Sequence, residues 1–179
     1  MRNRMLWTAA LVLTPTTFAA PVEAQKEKDL QEIQYVIATM TEKDSGMVKW
    51  FREAYGYAVF PNVGKGGLGI GGAHGNGIVY RGGDPTGKTE LKQVTVGFQA
   101  GGQSFIEVIF FKDQTAFDDF TRGNFEFGAQ VSAVALTAGV SADLAYNAGV
   151  AVVTMAKGGL MYEATVGGQK FKYEAYEKQ

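Results

Sequence analysis

Lys65-Gly66-Gly67-Leu68 and Lys157-Gly158-Gly159-Leu160 are the stretches of this chain whose residue types and spacing suit a chemical task. A lysine beside amides that carry no side chain suits the binding of phosphate or carboxylate: the ammonium brings charge and the glycine N–H groups bring hydrogen bonds. If the two segments met in the fold they would make one anion-binding pocket, and Arg81, Lys88 and Lys92 would add charge to its rim. The plainer reading is that each lysine begins a strand at the surface. Each segment comes after an apolar run of similar type, 58–63 in one case and 151–156 in the other, so two strands with matching roles are expected.

Other chemistries fit less well. Gly82-Gly83-Asp84-Pro85-Thr86-Gly87-Lys88-Thr89 matches the phosphate-binding loop pattern of nucleotide hydrolases, in which a helix must begin at the lysine. The residues downstream include Val94-Thr95-Val96, β-branched and with period two, so the stretch reads as a hairpin loop and no nucleotide partner is expected. His74 is the only histidine and cysteine is absent, so a metal site of the usual kind lacks its ligands. None of Ser45, Ser104, Ser132 and Ser141 sits in a nucleophile elbow, and Asp118 and Asp119 diverge on a helix. Glu107, Glu126 and Glu163 would make an acid pair only if folding brought them together. The chain therefore reads as non-catalytic, with no cofactor and no metal.

The elements that would position the lysines can be read from periodicity. Leu30, Ile33, Ile37 and Met40 lie three and four apart, predicting a helix over 26–43 that stops at Asp44-Ser45-Gly46. Residues 47–54 suit a second short helix with Trp50 and Phe51 facing the core. From Tyr57 the period changes to two. Strands are expected at 57–60, ended or placed at an edge by Pro61, at 68–73, at 78–81 after a turn at His74-Gly75-Asn76-Gly77, at 94–100 and at 104–111. A short helix over 113–121, with Thr115 and Asp118 as its capping pair, precedes a long strand expected over 125–136. Closing strands are expected at 149–154, 159–166 and 169–176, the last two joined at Gly167-Gly168. Helices at the front and strands behind predict an α+β fold: a strongly curved antiparallel sheet or partly closed barrel with the helices packed on it. The 24 glycines belong at its bends.

At the N-terminus Arg2 and Arg4 precede the apolar run 5–13, and Val22 and Ala24 stand three residues and one residue before a cut at Gln25. This predicts a signal peptide over 1–24 and a single domain over 25–179. The apolar run is too short to cross a bilayer. The absence of cysteine suits an oxidising compartment, so a periplasmic or secreted protein is expected, peripherally associated with the outer membrane. A formal net charge of −1 argues against a nucleic-acid partner held by bulk charge.

Gly56-Tyr57-Ala58-Val59-Phe60-Pro61-Asn62-Val63-Gly64-Lys65-Gly66-Gly67 resembles the opening signature of the SYLF domain family. Gly97-Phe98-Gln99-Ala100-Gly101-Gly102 matches its middle block, and the stretch 156–171 resembles its bacterial branch. The resemblance runs from about Leu30 to Tyr176. It implies a lipid-binding module without enzymatic activity; eukaryotic members bind phosphoinositides and, in some cases, actin. Those members open on a basic amphipathic helix, whereas acids balance bases over 26–43 here. Together these readings predict an exported module that contacts the headgroups of anionic phospholipid at a membrane surface. Lys65, Gly66, Gly67, Arg81, Lys157, Gly158 and Gly159 are the expected contacts. The rival is a cell-envelope interaction protein that binds another protein or a glycan.

Overall fold

The structure is a computed structural model and describes residues 20–97, 102–158 and 166–177. Helices α1 (Ala20–Lys43) and α2 (Met47–Glu53) come first, then β1 (Gly56–Arg81), β2 (Asp84–Gly97) and β3 (Gln103–Phe111). Helix α3 (Gln114–Thr121), β4 (Asn124–Glu126), β5 (Ala133–Ala135), a 3-10 turn (Val140–Ala142), β6 (Val150–Ala156) and β7 (Lys170–Ala175) complete the chain. The strands form one sheet in the order β4-β7-β2-β1-β3-β6-β5, antiparallel except for the β5–β6 pair at one edge.

β1 is long because it folds on itself. Its first arm pairs with β3 and its second with β2. The arms lie side by side: a Cβ on Gly56 would meet the Tyr80 carbonyl oxygen at 2.6 Å, and one on Gly75 the Asn62 oxygen at 3.1 Å. Two sequence expectations are corrected here. Pro61 does not end the strand, because it sits in a bulge where the β1–β3 register shifts between Phe60 and Val63. Asn76-Gly77 is not a turn. Both residues lie within the β1–β2 ladder, and Gly77 is there for close approach, since a Cβ would stand 2.6 Å from the Val59 oxygen and 2.7 Å from the Phe60 ring.

The tight turn of this region is Gly82-Gly83, with φ of 59° and 92°. Two positive φ values suit the right-handed twist of the flanking strands. The stretch that mimics a phosphate loop therefore runs from this turn straight into β2. Lys88 and Thr89 are consecutive strand residues, one exposed and one buried.

The long strand expected over 125–136 is also corrected. It is two short strands, β4 and β5, at opposite edges of the sheet. The strap that joins them, residues 127–132, spans roughly 25 Å at most. With the β1 arms counted separately the sheet has eight strand segments, roughly 34 Å across if laid flat. It must curl for the strap to reach, and the result is a half-barrel. The break in the strand is the geometric cost of carrying the chain from edge to edge.

Apolar side chains fill both faces. Phe60, Phe105, Phe111, Phe127 and Phe171 lie on the concave side, closed by Phe117 and Phe120 of α3. Asp113 caps that helix, its side chain accepting from Ala116 N at 3.0 Å, in place of the Thr115 pair expected from sequence. On the outer face Ile33, Val36 and Met40 of α1 pack against Tyr57, Val59, Ile78 and Val108. Burial of such side chains stabilises the fold by about 1.5–3 kcal/mol each. Asp44, at the α1–α2 junction, accepts from Ser141 N at 2.8 Å, Ser141 Oγ at 2.9 Å and Gly46 N at 3.0 Å, tying the 3-10 turn to the helices. Those hydrogen bonds hold its carboxyl below the ordinary range.

Candidate functional site

Four glycine-bearing connections gather at one end of the sheet, while the Gly82-Gly83 turn lies at the other. Gly66 and Gly67 lie where the β1 arms reverse, Gly102 leads into β3, Gly158 comes after β6, and Gly167-Gly168 precede β7. Strand register explains the assembly. Lys65 pairs with Gln103, the first residue of β3, while the backbone N–H of Lys157 donates to Ser104 O at 3.0 Å. The two lysine segments therefore bracket the start of β3, with backbones about 10 Å apart, two strand spacings. The sequence echo also has its explanation here: Ala58 and Val152 both pair with Ile109, and Val59 and Val153 both pair with Val108.

The lysine side chains nevertheless leave by opposite faces. Lys157 continues the row of Ala151, Val153 and Met155 on the outer face, and its Nζ lies 4.0 Å from Glu32 Oε1 of α1. Lys65 continues the row of Val63 on the concave face. The extra residue in the bulge at Pro61-Asn62 causes this, because a one-residue shift turns every later side chain over. Lys157 and Gly158 are exposed, whereas Lys65, Gly66 and Gly67 are half-buried. Gly158 has φ of 84° and open space where a Cβ would point. Gly159 and the block 98–101 lie outside the described residues.

Arg81 is at the other end. The β1 ladder places it beyond Tyr80, beside Gly56, roughly 25–30 Å from Lys65 along the sheet. Its guanidinium lies over the Tyr55 ring at 5.0 Å and the Phe117 ring at 5.9 Å. The fold thus gives Arg81 a packing position and separates it from the lysine end. Lys88 and Lys92 are engaged on the outer face, with Asp29 at 3.3 Å and Glu90 at 2.9 Å respectively.

Periodicity did not predict two further features. A groove of about 650 Å³ lies under the first half of α1, lined by Asp29, Glu32, Asn62, Asn76, Glu90 and Glu174 among others. Glu90 also accepts from His74 at 2.9 Å, and the hydrogen bonds from Lys92 and His74 hold its carboxyl below the usual value. The second feature is Glu107, 0% exposed on the concave face of β3, where burial pushes its carboxyl up to about 7. Its Oε2 accepts from Gln169 Nε2 at 2.9 Å. The sequence signal was a lone acid inside the apolar run 105–111, at a position whose parity matches buried neighbours. No helix among the described residues is long and apolar enough to cross a membrane.

Residues 92–177 match the family described as "Ysc84: Las17-binding protein actin regulator". The chain is similar to Beta cell expansion factor A of Aeromonas veronii, 30% identical over an alignment of 162 residues that covers 83% of this chain and 60% of that protein. The chain therefore spans about 60% of the length of this relative. The matched region begins in β2 and includes β3, β6 and β7, the strands that carry the buried acid and the second lysine segment, and over this region the chain matches the Ysc84 family of SYLF-domain proteins.

Proposed function

We propose that this protein is an exported, non-catalytic membrane-contact module whose glycine-rich end lies against anionic phospholipid. The observation that carries the reading is the bracketing of β3 by Lys65 and Lys157, each followed by glycine, at one end of the sheet. Side chains leaving by opposite faces cannot clamp one small anion. Both can reach a plane laid across the end of the sheet, and a layer of headgroup phosphates is such a plane. The backbone of Gly66, Gly67 and Gly158 comes close to that plane because no side chain intervenes. With a formal net charge of −1, attraction is local, reversible and sensitive to salt. The leader over 1–24 is the basis for export; a cut after Ala24 removes the first turn of α1 and keeps Ile33, Val36 and Met40, which hold it to the sheet.

Co-sedimentation with vesicles tests this. Binding is expected to phosphatidylglycerol-rich vesicles and to be weaker on phosphatidylcholine. Lys65→Ala and Lys157→Ala should each weaken it about fivefold, since a basic side chain near an anionic surface contributes about 1 kcal/mol. Arg81→Ala, at the far end, should bind like the wild type. Binding indifferent to headgroup charge and to both lysines would overturn the reading.

A second reading rests on the groove under α1. Its amides and unequal charges (Asp29, Glu32, Glu90 and Glu174 against Lys88 and Lys172) suit a polar envelope partner, a protein or a glycan. If Glu174→Gln together with Asn76→Ala abolished capture of envelope material while vesicle binding persisted, this reading would gain.

A further inference from the structure

Glu107 occupies the middle of β3 on the concave face, opposite Phe60 on one side and Thr154 on the other. Nothing in the membrane reading uses it. β3 and β7 are not neighbours in the sheet, since β1 and β2 lie between them. The hydrogen bond from Gln169 Nε2 to Glu107 Oε2 therefore crosses the interior of the half-barrel. Gln169 is also joined to the strap: Phe127 N donates to Gln169 O at 2.9 Å, and Gly168 N donates to Phe127 O at 2.9 Å. One carboxyl thus ties the sheet centre to the β7 edge and to the segment that closes the half-barrel.

The donors and acceptors of this cluster do not balance around a carboxylate. Among the described residues, Glu107 Oε1, Thr154 Oγ1 and Gln169 Oε1 are buried oxygens that find no hydrogen-bond partner. With Glu107 ionised, the Thr154 hydroxyl is the one side-chain O–H among these groups, and none of the described groups that face it is a cation. A proton on Glu107 removes the charge and adds a donor. Thr154, directly across the ladder at about 5 Å between Cβ atoms, is placed to receive it. A buried charge without a counter-ion is strongly disfavoured, and either a proton or water must relieve it.

We propose that Glu107 is a proton-binding latch: protonated, it holds Gln169 and the strap across the interior, and ionised, it admits water and releases them. The groups around it leave the proton as the means of relief. It faces Phe60 from β1, Thr154 from β6 and Gln169 from the turn before β7, with Phe127 of the strap behind Gln169. Lys65 is a basic residue on the same face, but it pairs four residues away along β3, roughly 13 Å off, and Arg81, stacked on Phe117, lies at least as far in the other direction. Tyr173, on β7, lies beyond Phe171. Burial raises the Glu107 carboxyl, and the Gln169 hydrogen bond opposes it only in part.

Linkage fixes the sign. A carboxyl raised in the folded state contributes stability that is complete below its unfolded value and is lost as pH rises through about 7. Urea unfolding of the full chain at about pH 6 and pH 8.5 should show the unfolding constant rising roughly tenfold. In Glu107→Gln that rise should vanish, with both proteins carrying His74→Gln so that the lone histidine does not contribute. Equal pH dependence in both proteins would overturn the proposal. If the Gln variant does not fold, a carbon-13 titration of the wild-type Glu107 carboxyl decides: a midpoint near 7 supports the latch and one in the ordinary carboxylate range ends it. Amide exchange at Phe127 and Gly168, corrected for base catalysis, should quicken above neutrality more than exchange in β3. Equal change in both would remove the release step.

Discussion

At Gly77 a missing side chain has a structural purpose. Gly77→Ala would push a methyl group into the Val59 carbonyl and the Phe60 ring, and should cost about 1–3 kcal/mol in chemical denaturation. Gly102→Ala meets nothing within 4 Å and should be neutral or slightly stabilising, because it restricts the unfolded chain. The pair separates glycines that permit close approach from those that merely sit in a connection. Sequence alone could not make that distinction, since Asn76-Gly77 carries the local signature of a turn. The neighbouring arm of β1 decided the matter, and that arm is remote from residue 77 along the chain.

The third helix and the strap show the same contrast between local and distant causes at the scale of elements. Phe117 and Phe120, three apart, were legible as one buried face, and the structure buries both. Phe120→Ala should cost about 3–5 kcal/mol, read as a fall in the urea midpoint. Asp113→Ala removes the cap and should cost about 1 kcal/mol, whereas Thr115→Ala should change little. The strap was not legible. Alternation over 125–136 reads as one strand, yet the chain pairs there with β7 and then with β6, at opposite edges. Alternation reports which side chains are buried; it does not report which partner buries them.

Two opposed sets of carboxyls shape the stability of the whole molecule. Asp44 and Glu90 are held below their ordinary values, so what they contribute is present above that range and is lost as pH falls through it. Glu107 acts in the other direction, and its contribution is lost as pH rises through about 7. Melting temperature should therefore peak on the acid side of neutrality, and a scan from about pH 3 to pH 9 checks it. Glu107→Gln should flatten the alkaline limb and leave the acid limb unchanged. A wild-type optimum above pH 8 would contradict this account.

Residue spacing was enough to establish the class of fold, the stripe of α1, the short helix before Arg122 and the false phosphate loop, because each depends on neighbours within a dozen residues. It also showed two similar lysine segments and suggested that they have matching roles. The folded chain was needed to show that both flank β3, that a single extra residue at Pro61-Asn62 turns Lys65 away from Lys157, and that Arg81 belongs to the opposite end. The reason is that strand pairing joins residues far apart in the chain. A one-residue offset, invisible to composition and period, then chooses the face from which each side chain leaves.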